Sequence, residues 1–124
     1  MKSIGKIDAG LRSRNAQERW AAAEAAGELI AVKPWDVWRL VLRHGASDDE
    51  DLRTAVATCM LEHLLEDHFD TFFPLLEAQI RGGNYALGDT LRRCWKLGAA
   101  ELPNNAKKWD RLLSDAKRAA RSSA

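Results

Sequence analysis

The chain has 124 residues, of which 46% are hydrophobic and 30% charged, with a net charge of +1. That length suits a single domain burying roughly two-thirds of its unfolded surface, and the composition speaks against wholesale disorder. The longest stretch without a charge, Thr54 to Leu61, is eight residues, far short of the ~20 that a membrane span needs. Lys2, Lys6 and Asp8 leave no apolar leader core at the start, so the expectation is a cytoplasmic protein without membrane contact. Cys59 and Cys94 form no CxxC pair and read as buried thiols. Charge is laid out in blocks: +3 over residues 1–44, −8 over 45–78 and +6 over 79–124. Such asymmetry marks either a binding surface or two solvated faces.

In chain order, Ile4, Ile7 and Leu11 suit a short first helix that Gly5 and Gly10 weaken. From Ala16 a firm helix puts Trp20, Ala23, Gly27 and Ile30 on one face, and Ala22, Ala26 and Gly27 would let a neighbour approach closely. Pro34 opens the next helix, with Trp35, Trp38 and Leu42 as its stripe and Val37 and Val41 widening it. Gly45 stops it, and Ser47 with Glu50 reads as a capping box. A central helix follows, with Leu52, Ala55, Val56, Cys59 and His63 on one face and Met60, Leu61, Leu64 and Leu65 broadening it; it is packed on two sides. Glu66-Asp67-His68 breaks the pattern, with Asp70 placed to cap the helix of Phe69, Phe72, Phe73, Leu76 and Ile80. Gly82-Gly83-Asn84 is a turn. Leu87, Leu91, Cys94 and Trp95 form a stripe stopped by Gly98, and Pro103 opens a last helix carrying Trp109, Leu112, Leu113, Ala116 and Ala120, with fraying from Arg121 to Ala124. No segment alternates as a strand does. All five tryptophans fall on apolar stripes and read as core or inter-helix packing, with room for one or two to stand exposed for a partner.

The pattern repeats. Pro34 precedes Arg53 by 19 residues and Pro74 precedes Arg93 by the same distance, so both markers recur at 40. Asp51-Leu52-Arg53-Thr54-Ala55-Val56-Ala57 resembles the second helix of a HEAT unit, as does Arg19-Trp20-Ala21-Ala22-Ala23 with its following Gly27-Glu28-Leu29. The third copy, Asp89 to Trp95, departs by placing Cys94 and Trp95 where small residues would sit. The resemblance covers about residues 16–98. It implies an all-α fold in one domain over residues 1–124: a short α-solenoid of about six helices in antiparallel pairs, with the second helices lining a concave binding face.

Candidate chemistry is sparse. His63 and His68 with Glu62, Glu66, Asp67 and Asp70 are the one ligand-type cluster, but they match neither HExxH nor Glu-x-x-His spacing. His63, in phase with Val56 and Cys59, reads as a core histidine. No nucleophile elbow, phosphate loop or calcium loop is present, so neither catalytic residue, cofactor nor metal is expected. The expected function is a non-enzymatic protein-binding module, an adaptor, inhibitor or immunity-type partner. Asp48, Asp49, Asp51, Glu62, Glu66, Asp67 and Asp70 would face a basic protein. The alternative is nucleic-acid binding through Arg81, Arg92, Arg93, Lys96, Lys107, Lys108 and Arg111, as in the HEAT-like DNA alkylation repair glycosylases, although a pI near 7.8 is low for that role.

Overall fold

The computed structural model describes residues 2–123, and every regular element among them is helical. Helix α1, Ile4–Leu11, is capped by the Ser3 hydroxyl, which accepts the Lys6 N–H at 3.2 Å. It is short, as its glycines predict, yet firmly seated, because Ile7 and Leu11 are fully buried. Helix α2, Ala16–Glu28, starts on Asn15, whose side chain accepts the Glu18 N–H at 3.1 Å. Helix α3, Pro34–His44, uses proline at its first position, where a missing N–H costs nothing. Val37, Trp38, Leu40 and Val41 form its buried face.

Residues 50–81 make one bent rod at the centre: α4, Glu50–Val56; a π-helical segment, Ala57–Leu61; and α5, Glu62–Arg81. Counting that rod once, six helices are present among the described residues. The capping box expected at Ser47 and Glu50 does not form. Asp49 is the cap instead, its carboxylate accepting the N–H groups of Asp51 at 3.0 Å and Leu52 at 3.2 Å. Ser47 accepts the Asp49 N–H one step earlier and Glu50 turns outward to Arg93, so the helix starts two residues later than the box requires. The predicted break is real: His68 leaves helical geometry, with φ −137° and ψ 43°. It is a bend rather than a gap, and the chain is helical again at once, so Asp70 is not needed as a cap. Beyond it Phe69, Phe72, Phe73, Leu76 and Ile80 are all buried, and Phe69 stacks on Phe73 at 4.5 Å.

Helix α6, Tyr85–Arg92, begins on Asn84 and ends sooner than its apolar stripe suggests. Cys94 and Trp95 therefore lie in an irregular stretch before a 3-10 turn, Gly98–Glu101. Helix α7, Pro103–Ser123, closes the chain with Trp109, Leu112 and Ala116 inward. It is helical through Ser123, past the point where fraying is predicted; Ala124 lies outside the described residues. Trp38 and Trp109 are buried and Trp20 is partly buried against the core, and the exposed pair is Trp35 and Trp95. Trp35 lies edge-on against Phe72 and is 49% exposed, and Trp95 is 74% exposed.

Two rows of neighbours organise these helices. In one, α2 touches α4 and the π segment, which in turn touch α6; in the other, α1 touches α3 and α3 touches α5. The closest approach lies in the first row. A Cβ on Gly27 would fall well inside van der Waals contact with the Cys59 carbonyl oxygen, a backbone atom of the π segment that cannot swing aside. Gly5, by contrast, has nothing within 4 Å of such a position. Gly27→Ala is therefore expected to destabilise the fold by ~1–3 kcal/mol despite alanine's better helix propensity. Gly5→Ala should stabilise it by about 0.5 kcal/mol. Urea unfolding of both variants measures the contrast.

Candidate functional site: an acidic groove beside the central rod

The charge blocks of the sequence largely answer one another in space. Arg19 of α2 meets Asp51 of α4 at 2.8 Å, and the Trp20 indole N–H donates to the same carboxylate at 3.1 Å. Arg53 of α4 reaches Asp89 of α6 at 3.2 Å, and Arg93 just past α6 joins Asp89 at 3.0 Å and Glu50 at 2.7 Å. The arginine that recurs in the sequence thus stitches neighbouring helices of the first row. Arg92 also pairs with Asp89, Arg81 with Glu77 and Asp115, and Lys96 with Asp110 while lying 5.6 Å from the centre of the Trp109 ring. Of the seven basic residues singled out for phosphate, four are so engaged. Lys107, Lys108 and Arg111 stand exposed on α7 with no ion pair among the described residues.

A second network joins α1 to α3, and nothing in the sequence announces it. Asp8 is buried and receives His44 Nε2 at 2.7 Å, Arg43 at 3.1 Å and Arg12 at 3.0 Å. The His44 bond does most to hold the Asp8 carboxyl below its ordinary range; burial opposes it and the two guanidiniums assist. Arg12, Arg43 and His44 also sit where α1 and α3 end, at the negative ends of their dipoles. This network is accounted for by the needs of one buried carboxylate and two helix ends.

The acidic residues predicted to form a surface divide. Asp48 is exposed on the α3–α4 connection, Asp49 is the cap of α4, and Asp51 belongs to the arginine stitch. Asp70 lies beyond the bend, beside Pro74, Glu77 and Lys108. Glu62, Glu66 and Asp67 do come together, and α2 adds two carboxylates that the sequence reading passed over, Glu24 and Glu28. Between α2 and the rod runs a groove of about 440 Å³. Glu24, Glu28 and Asp67 line its walls, with His63 and Thr58, and Gly27, Ile30, Ala31 and Cys59 form its apolar part. His63 Nδ1 lies 2.9 Å from Glu66, and its Nε2 3.9 Å from buried Glu62, so the imidazole bridges two more carboxylates at the edge.

Glu24, Glu28 and Asp67 have no ion pair among the described residues. Glu28 is also the last residue of α2, where the helix dipole disfavours a negative charge by ~0.3–1 kcal/mol. The one clue in the sequence is the spacing of Glu24 and Glu28, four apart and so on one side of α2.

The groove's chemistry is electrostatic. Burial, eased by a Thr58 hydrogen bond and reinforced by the charges of Glu24 and Glu62, raises the Cys59 thiol above its ordinary value. Burial and Glu62 raise Cys94 much further, so the thiolate form is disfavoured at both sulfurs. No group of three or more His, Cys, Asp or Glu among the described residues is arranged to hold a metal ion. His68, the other candidate ligand, packs edge-on to Phe72 at 6.1 Å. No described helix is long and apolar enough to cross a membrane. Comparison with protein-family models, curated proteins and solved structures finds no match to this chain.

The arginine pairs make the fold acid-sensitive. Arg19 and then Trp20 hold the Asp51 carboxyl below its ordinary 3.8. At Asp89 burial pushes upward, but the Arg93 and Arg53 bonds outweigh it and the net shift is again downward. Above the ordinary value both carboxyls are charged whether the chain is folded or not. Below it the unfolded chain takes up protons first, so the stability these pairs give is lost as pH falls from 3.8 through the lowered folded values. Urea midpoints should fall across that window, and Asp89→Asn should flatten the decline while lowering stability at neutral pH.

Proposed function

We propose that this protein is a non-enzymatic protein-binding module, built as a HEAT-like stack, that takes a basic segment of a partner protein into the acidic groove. The observation that carries the reading is the set of unpaired carboxylates, Glu24, Glu28 and Asp67, around an apolar floor. Asp51, Arg53 and Asp89 on the same row are paired within the chain, whereas these stand together without a cation, and one of them opposes its own helix dipole. Carboxylates kept at such a position attract a cationic ligand, speed its encounter and discriminate against acidic ones. The apolar floor of Gly27, Ile30 and Ala31 accepts the aliphatic stems of lysine or arginine while the charged heads reach the walls. The recurrence at 40 residues and the succession of α2, the rod and α6 support the stacked arrangement, in which that row is the inner, binding layer.

The test is titration of the protein with a short peptide of mixed lysine and arginine across a salt series, followed by isothermal calorimetry. Binding should weaken steeply with salt and fall at least about tenfold in a Glu24→Lys, Glu28→Lys, Asp67→Lys variant. These residues are exposed, so the variant should keep the parent's helical spectrum. Equal binding by parent and variant would remove the groove from consideration. Salt-sensitive binding of duplex DNA, lost on reversing Lys107, Lys108 and Arg111, would move the function to the basic face of α7 instead.

A further inference from the structure

Trp95 is the most exposed large apolar side chain among the described residues, at 74%. It is not on a floppy loop. Its backbone N–H donates to Glu62 Oε1 at 2.6 Å, a charge-assisted bond to a carboxylate that is itself buried. Three residues on, Gly98 takes a φ of +53° and lies so close to Glu66 that a Cβ there would come within 2.9 Å of the Glu66 carbonyl oxygen. The irregular stretch from Trp95 to Gly98 is thus pinned at both ends to the side of the rod that carries Glu62 and Glu66.

Those same carboxylates bracket His63, which lines the acidic groove. The nearest cation in sequence, Lys96, is drawn the other way, onto Asp110 and the Trp109 ring. An indole held out in solvent on a backbone tied to a carboxylate, with its neighbouring lysine tied back, is an unusual arrangement for packing alone. The residue is left 74% exposed, although burial of an indole is worth more than that of almost any other side chain.

We infer that Trp95 and Glu66, joined through the stretch that Gly98 seats on the rod, form a subsite for an arginine side chain of the basic partner. This rests on the groove reading above and deepens it by naming the cation. A guanidinium is planar and weakly hydrated, so it can lie flat on an indole while its edge donates to a carboxylate. An ammonium is a compact, strongly hydrated point charge and gains less from the same two groups. The subsite therefore makes the groove selective for arginine over lysine, a distinction that the carboxylates of Glu24, Glu28 and Asp67 alone would not draw. Glu66 has one oxygen on His63 and leaves the other for the ligand.

The test compares two short peptides of equal length and charge, glycine alternating with arginine and glycine alternating with lysine. They are titrated into the parent protein, Trp95→Ala and Trp95→Phe. The parent should bind the arginine peptide about three- to tenfold more tightly than the lysine peptide. Trp95→Ala should abolish that preference while leaving lysine-peptide affinity unchanged, and Trp95→Phe should keep part of it. Because Trp95 is exposed, unchanged urea midpoints should accompany these effects. If both peptides bind the parent equally, or Trp95→Ala leaves the preference intact, the Trp95 subsite is overturned while the groove stands. If neither peptide binds, the groove reading fails and takes the subsite with it.

Discussion

The contact on which the rest of this architecture depends is the seating of Gly27 against the Cys59 carbonyl. With no side chain at that point, α2 lies on the central rod at backbone-to-backbone distance, while Ala22 on another side of the helix meets Gly10 of α1. The rod meets it with a π segment, a locally widened turn of the kind that often accompanies functional surfaces. That seating brings Arg19 and Trp20 within reach of Asp51 on one side of the interface. On the other it forms the floor of the groove from Gly27, Cys59 and their neighbours. A methyl group at residue 27 would disturb the stitch and the groove together. The core is a second requirement, met by the leucines and phenylalanines of the rod, but it fixes only that the helices pack, not how near α2 comes.

Much of the helical plan is legible in the sequence because helical periodicity is a local signal. The stripes of α2, α3 and the rod, the proline starts of α3 and α7 and the bend beside His68 all follow from spacing within a dozen residues. What escapes that reading is what depends on separation. The capping of α4 by Asp49 rather than Ser47 turns on where Glu50 goes, and Glu50 goes to Arg93, 43 residues away. Trp95 continues the α6 stripe on paper, but the helix has already ended, so an apolar phase is carried by a residue with no helix to hold it. Asp8 looks like an ordinary surface acid until α3 brings His44 and Arg43 over it.

The candidate site was half legible for the same reason. Reading charge in consecutive blocks gathers Asp48, Asp49 and Asp51 with Glu62, Glu66 and Asp67, although the first three serve the start of α4 or its surroundings. It also leaves out Glu24 and Glu28, because they lie in a block whose total is positive. A groove between two packed helices collects one side of each, and here the contributing residues are about 40 apart. The 40-residue spacing is the better guide, since α2 and the rod lie side by side at about that separation. Glu24 and Glu28 advanced by that interval fall close to His63, Glu66 and Asp67.

Seen along the first row, the stitch and the groove are two states of one chemistry. At the ends of α2, α4 and α6 nearest their starts, every carboxylate of the stitch has an arginine from a neighbouring helix, and the charges cancel. Between one and about four turns further along α2 and the rod, the carboxylates persist and the arginines do not. Stability gives no reason for that asymmetry: unpaired acids repel one another, and Glu28 sits at the wrong end of its helix. An internal cation at any of several exposed positions would have relieved it. A cation delivered by another molecule relieves it just as well, and only when that molecule is bound. On the proposed reading, the row is completed in trans by the pairing that holds it together in cis.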